Sequence, residues 1–341
     1  VFLLVRRYTD HRTDPDVARL ANVSVGTVSN VLNRPARVSP TTRTKVEDAI
    51  AQLGFVPNGA ARQLRVGAAR TAGAIMFDLT NPFFMDVAQG LQDRLAIDSW
   101  TLMVAASGGA RDREEHFLRL FEEQGVQGVV VFRATDQADQ LLALGERGIG
   151  VVLLDPSGQV EGLSSVGVDD VAGGRMAAEH LLALGHERIA LFNGPDTFHK
   201  AVDRRSGFVS AIVDAGLDPV RVLREVTVPM SAHGGELGVQ HLFSLPAGQR
   251  PTAVFCVNDL VALGALRTLH RAKASVPGDL AVVGYDDTAF AGELITPLTT
   301  VGRPTHALGS TAADLLLRPA GSPPEQILFA PRLVTRPSTT G

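Results

Sequence analysis

From residue 72 onward the chain repeats one pattern: a short aliphatic run followed by a longer amphipathic one. The aliphatic runs fall at 72–77, 101–105, 128–132, 151–154, 189–193, 253–257 and 280–285. Amphipathic stretches at 83–97, 113–124, 139–145, 172–184, 204–215, 234–245 and 259–270 separate them. Short buried strands alternating with helices imply parallel strands joined by helical crossovers. Seven such units are too many for one compact sheet of ordinary size. The pattern therefore predicts an α/β body of two doubly wound lobes. A ligand cleft is expected where the carboxyl ends of the two sets of strands face each other.

Residues 1–70 differ. They contain 11 Lys/Arg against five Asp/Glu, a charge of +6, in a chain whose formal net charge is −4. The remainder therefore carries −10. A basic head suits a polyanion, whose counterions it releases, and an acidic body is repelled by one. Asp14-Pro15-Asp16 opens a helix, with Asp14 as the expected cap and Pro15 in the first turn. After Asn22-Val23, Ser24 caps a second short helix in which Val28, Val31 and Leu32 face inward. Thr27, Ser29 and Asn30 then point outward, with Val25 and Gly26 at the helix start and Asn33 at its end. Ser39-Pro40 opens a third helix whose inner face is Val46, Ala49, Ile50 and Leu53, ended by Gly54. Arg43 and Lys45 lie where they can meet a nucleic-acid backbone. A polar second helix after a tight turn is a helix-turn-helix arrangement, an all-α headpiece that reads DNA.

Other classes lack their signatures. There is no Walker A pattern, GxSxG elbow, HExxH or paired CxxC, and no GxGxxG follows a predicted strand. One cysteine, Cys256, rules out a disulfide framework. The nine histidines are scattered. No enzyme activity, cofactor or metal is expected. No apolar run approaches the ~20 residues of a membrane span, so no membrane partner is expected and the location is expected to be cytoplasmic, on the nucleoid.

Val23-Ser24, the run Thr27 to Asn33, Val38-Ser39, Thr42-Arg43 and the run Leu53 to Asn58 together resemble the LacI/GalR (lactose-repressor/galactose-repressor) family. The likeness continues through Asn81-Pro82-Phe83-Phe84, Val168-Asp169-Asp170, Asn258-Asp259, Gly284-Tyr285-Asp286-Asp287 and the run Leu333 to Thr339. It implies a periplasmic-binding-protein-like effector domain behind the headpiece. The expected organisation is a disordered leader at 1–12, a headpiece at 13–57, a hinge helix at 58–66 and an effector domain at 67–341. Lobe 1 is expected at about 71–168 and 301–328, and lobe 2 at about 169–299 and 330–341. The resemblance implies DNA contacts from Ser24, Val25, Gly26, Thr27, Ser29, Asn30, Asn33 and Arg43, and from Asn58, Ala61 and Leu64 of the hinge. Leu64 would wedge the minor groove and kink the duplex. Asn30 stands where the family often has arginine, and Gly26 replaces larger side chains, so the operator half-site is expected to differ from the commonest one.

The resemblance also implies that Arg204, Asn258 and Asp286 contact a small-molecule effector. Asp78 and Asp155 join them as residues that follow strands, and Phe84, next to Phe83, offers an apolar wall. Carboxylates accepting from hydroxyls, with a guanidinium donating to ring oxygens, suit a sugar. Met230 sits where sugar-responsive relatives often carry an aromatic. The expected function is a ligand-responsive repressor of carbohydrate-utilisation genes, bound as a homodimer to double-stranded operator DNA. A nucleoside or purine effector is the alternative, and a solute-binding protein without DNA function is a further one.

Overall fold

The computed structural model describes residues 13–55, 70–132, 138–154 and 160–340, with the side chain of Asn33 left out. Residues 1–69 and 70–341 form two compact units. The leader at 1–12, the hinge residues Asn58, Ala61 and Leu64, and Asp155 lie outside the described residues.

The first unit contains α1 (Asp14–Ala21), α2 (Val25–Asn33) and α3 (Pro40–Leu53). The cap of α1 is Thr13, not Asp14. The Asp16 carboxylate reaches back to accept from the Thr13 amide at 2.9 Å and hydroxyl at 2.8 Å. Asp14 is therefore inside the helix, where its charge still favours the positive end. Ser24 and Ser39 cap α2 and α3 by accepting from the amides of Thr27 (3.1 Å) and Thr42 (3.3 Å). Val17, Ala18, Ala21, Val28, Val31, Val46, Ala49 and Phe55 form one small core. Ile50 and Leu53, expected inside, are half-buried at its margin.

The second unit contains two six-stranded sheets. In chain order its elements are β1 (Thr71–Met76), α4 (Pro82–Ile97), β2 (Thr101–Ala106), α5 (Arg111–Glu123), β3 (Gly128–Val131), α6 (Ala138–Glu146), β4 (Gly150–Leu153) and β5 (Ser164–Val168). There follow α7 (Asp170–Ala183), β6 (Ile189–Asn193), α8 (His199–Asp214), α9 (Pro219–Val222), β7 (Leu223–Thr227), α10 (Ala232–Ser244), β8 (Ala253–Cys256), α11 (Asp259–Arg271), β9 (Ala281–Asp286) and β10 (Thr299–Gly302). The chain closes with α12 (Thr305–Leu316), β11 (Gln326–Phe329), β12 (Arg332–Val334) and α13 (Pro337–Thr340).

The first sheet has the order β11-β5-β4-β3-β1-β2 and the second β12-β10-β9-β8-β6-β7. All pairings are parallel except β10 with β12. This is the expected pair of doubly wound lobes. The chain passes between them after β5, after β10 and after β11. The lobe change expected near residue 300 falls inside β10, but Thr299 to Gly302 all pair with Val283 to Asp286. The crossover is therefore at 303–304.

Three helix pairs cover these sheets: α4 with α12, α7 with α8, and α10 with α11. Each pair meets through reciprocal glycines. A Cβ on Gly174 would run into the Arg204 carbonyl, and one on Gly207 into that of Val171. Gly90 and Gly309 stand in the same relation to the carbonyls of His306 and Val87, as do Gly235 and Gly264 to those of Val261 and Ala232. The close approach of α7 and α8 brings the N-terminal Asp170 of one against Arg204 of the other. Gly174→Ala should therefore lower the stability of this unit by ~1–3 kcal/mol through overpacking. Gly145→Ala, which meets nothing within 4 Å in α6, should be neutral or gain ~0.5–1 kcal/mol from helix propensity. Urea midpoints of the two variants check this ordering.

Candidate effector cleft and DNA-reading helix

At the carboxyl ends of the two sheets, side chains from both lobes line one small cavity of about 30 Å³. Asp78, Phe84, Arg204, Asn258 and Asp286 all line it. The structure thus brings together five of the six residues singled out for the effector, and the sixth, Asp155, is not described. Lys200, Arg303, Phe77, Phe132 and Phe198 line it as well, and sequence reasoning had given none of them a role.

The polar side is built from two buried ion clusters. Asp170 accepts from Lys200 Nζ at 2.9 Å and from Arg204 Nε at 2.8 Å. Arg204 also donates through Nη1 to the Val257 carbonyl at 2.5 Å, and its guanidinium lies 3.6 Å from the centre of the Tyr285 ring. Asp286 pairs with Arg303, whose guanidinium stacks 3.5 Å from the centre of the Phe83 ring. The five charged side chains are each 4% exposed or less. Burial works against the charge on Asp170, yet Arg204, Lys200 and Arg303 hold its carboxyl well below the usual range. Burial likewise opposes the charge of Arg204, and Asp170 restores and raises it. Unpaired charges at this depth would cost several kcal/mol each.

The remaining polar residues are already engaged. Asn258 caps α11, its Oδ1 accepting from the Val261 amide at 2.9 Å, while Nδ2 donates to the Met230 carbonyl at 3.4 Å. Asp78 accepts from the amide and hydroxyl of Thr80, both at 2.8 Å. Phe84 is a core residue with one edge on the cavity: its ring meets Phe83 at 4.8 Å and Phe132 at 4.9 Å, edge to face. Phe198, at the cap of α8, packs against the cores of both lobes, with its ring 5.0 Å from Phe77 and stacked 6.0 Å from Phe132. The cavity therefore has an aromatic wall and a charged wall.

The backbone at this site is unusual. Asp286 and Asp287 have φ of 122° and 55°. Left-handed conformations of this kind cost roughly 1–3 kcal/mol each for residues other than glycine. Next to them Asp259 is fully buried and accepts from the Thr288 amide (2.8 Å) and hydroxyl (2.9 Å) and from the Thr300 hydroxyl (2.7 Å). Burial, with the nearby charge of Asp286, pushes its carboxyl up to about 7.

In the first unit, Val28 and Val31 of α2 face the core while Val25, Gly26 and Asn30 are exposed. The side chains of Ser24 and Thr27 lie 2.9 Å apart at the cap, and Ser29 is half-buried. Arg43 donates to the Pro35 carbonyl at 2.5 Å, bracing the turn between α2 and α3. Among the described residues no helix is long and apolar enough to cross a membrane. No group of three or more His, Cys, Asp or Glu among them is placed to hold a metal.

Residues 15–58 match the family described as bacterial regulatory proteins, lacI family, and residues 178–339 match the periplasmic binding protein-like domain. The chain is 32% identical over 335 residues to the HTH-type transcriptional repressor PurR of Aliivibrio fischeri, spanning 96% of this chain and 98% of that protein. It is 33% identical over 331 residues to the ribose operon repressor of Escherichia coli, spanning 96% and 99%. The chain belongs to the LacI family. Like the family's regulators, it is a ligand-responsive, DNA-binding transcriptional regulator. Among solved structures, the lac repressor dimer bound to operator and the anti-inducer ONPF superposes with a TM-score of 0.80 at 30% identity, over 97% of this chain and 99% of that one. A LacI family regulator from Enterococcus faecium with bound ribose gives 0.71 at 30% identity, over 79% and 98%.

Asp259 makes this LacI-family domain sensitive to pH. In the unfolded chain its carboxyl ionises near the ordinary value of 3.8, in the folded one near 7. Between those values the folded state binds more protons, so stability falls as pH rises, and the loss is complete above the folded value. From about pH 5 to about pH 7.5, wild type should lose stability relative to Asp259→Asn. Parallel denaturation profiles for the two proteins would sink the assignment.

Proposed function

We propose that this regulator is a homodimeric repressor whose effector is a small sugar held in the two-walled cavity between the lobes. The observation that carries the reading is the pairing of an aromatic wall with a charged one. Carboxylates and guanidinium groups recognise hydroxyls and ring oxygens by directional hydrogen bonds. Phe77, Phe132 and Phe198 supply the flat apolar surface that Met230 does not. The likeness to a ribose operon repressor and to a regulator with bound ribose supports this ligand class. A nucleoside or purine is the second reading, favoured by the same aromatic wall, on which a planar base stacks.

In this reading α2 enters the major groove, with Val25, Gly26, Asn30 and their neighbours toward base edges. The hinge residues Asn58, Ala61 and Leu64 follow the central minor groove, where Leu64 wedges a base step. Effector binding changes the angle between the lobes and so biases the DNA-bound form. The chain performs no catalysis and works in the cytoplasm, on the nucleoid.

An exposed apolar face supports the dimer. Ile295 is 88% exposed beside a groove of about 290 Å³ lined by Leu263, Leu266 and Leu294. An apolar surface of this kind in a soluble chain marks a contact site. Ile295→Asp should shift the protein from dimer to monomer in analytical ultracentrifugation, and an unchanged sedimentation coefficient would remove this face from the interface.

The ligand class is tested by thermal shift with ribose, glucose, cellobiose, adenosine and inosine. A ligand that binds the native state stabilises it by about 2.7 kcal/mol at a hundred times its dissociation constant. A sugar should raise the melting temperature, and Arg204→Met should abolish the rise. A shift from the nucleosides alone would replace the sugar reading with the second one.

A further inference from the structure

Asp286 and Asp287 hold two successive left-handed backbone conformations without a glycine. Such conformations persist only where the surroundings over-determine them. One anchor is Asp259, which takes both donors of Thr288 and, through Thr300, reaches the Asp287 amide, 3.4 Å from the Thr300 hydroxyl. The other comes from the far end of the chain. Arg336 Nη2 meets Asp287 Oδ1 at 2.7 Å, and Nη1 donates to the Leu298 carbonyl at 2.8 Å. The Arg336 amide donates to the Thr299 hydroxyl at 2.8 Å, and that hydroxyl lies 2.8 Å from the Arg336 carbonyl. Arg336 is thereby fixed to β10 by its backbone and holds Asp287 by its side chain. Arg332 lies 3.8 Å from the other oxygen of Asp287 but is 79% exposed, a looser and screened contact.

We propose that Arg336 is a positioning residue for the effector: by clamping Asp287 it aims the Asp286 carboxylate at Arg303 and into the cavity. Arg336 does not line the cavity, so its influence passes through the backbone of the Asp286-Asp287 pair. The clamp requires two donors in a fixed plane, one for the carboxylate and one for the Leu298 carbonyl, which a guanidinium offers and an ammonium does not. The proposal rests on the reading of this cavity as the effector site.

Glycine takes a positive φ without steric cost. The substitution Asp287→Gly therefore relieves the strain at that residue and, with its carboxylate gone, leaves Arg336 nothing to clamp. Calorimetric titration with D-ribose is made on wild type, Arg336→Gln, Asp287→Gly and the double variant. Arg336→Gln should weaken ribose binding ~10-fold in the wild-type background and less than ~3-fold in the Asp287→Gly background, the non-additivity expected of residues acting through one element. No loss in the wild-type background, or an equal loss in both, overturns the proposal. If D-ribose does not bind wild type, the sugar reading loses its support, and the crystal structure of Arg336→Gln decides the clamp separately. Asp287 should then leave the left-handed region and Asp286 should part from Arg303. An unchanged turn overturns the proposal.

Discussion

The effector domain is organised around charges it has to bury. Asp170, Lys200, Arg204, Asp286 and Arg303 come from α7, α8, β9 and the crossover after β10, and each is almost wholly withdrawn from water. The cost of desolvating them is repaid only where partners meet in good geometry. That geometry depends on the backbone. The glycine contacts between α7 and α8 set the distance between Asp170 and Arg204, and the left-handed turn after β9 sets the direction of Asp286. The packing of helices and the chemistry of the cleft are thus one arrangement.

The folding pattern was legible where a strand is built of aliphatic residues, including the edge strand β2. The aliphatic runs that became β1, β3, β4, β6, β8 and β9 stand out because helices cover both sides of them. β7 and β11 lie at sheet edges and are partly exposed, and Leu223-Arg224-Glu225-Val226-Thr227 carries no aliphatic run. β5 and β10 are hidden by serine, threonine and glycine. The site shows the same division. Arg204, Asn258 and Asp286 were found through family resemblance. Lys200 was not, because α8 begins at His199 rather than at the expected 204. Arg303 was not, because it follows a strand that was not recognised. Asp170, inside a matched run, was given no role, since its partners are 30 and 34 residues away and meet it only through space.

The two units also divide the electrostatics. The headpiece has a small core of its own, and its helix caps are short serine and threonine side chains. One of its arginines, Arg43, braces the turn between α2 and α3. The sequence-wide charge of −4 conceals this division, because the acidic body outweighs the head.

The crossover pattern has a consequence for synthesis. The first sheet gains its edge strand β11 only at Gln326–Phe329, although β5, its neighbour, ends at Val168. At ordinary translation rates those strands are separated by ~10–30 s. During that interval β5 presents an unpaired edge, the kind of template that recruits other chains. α12, which covers α4, is equally late. The nascent first lobe is therefore a partly open sheet until residues 305–329 have been made, and its exposure to chaperones and to aggregation is set by those late elements.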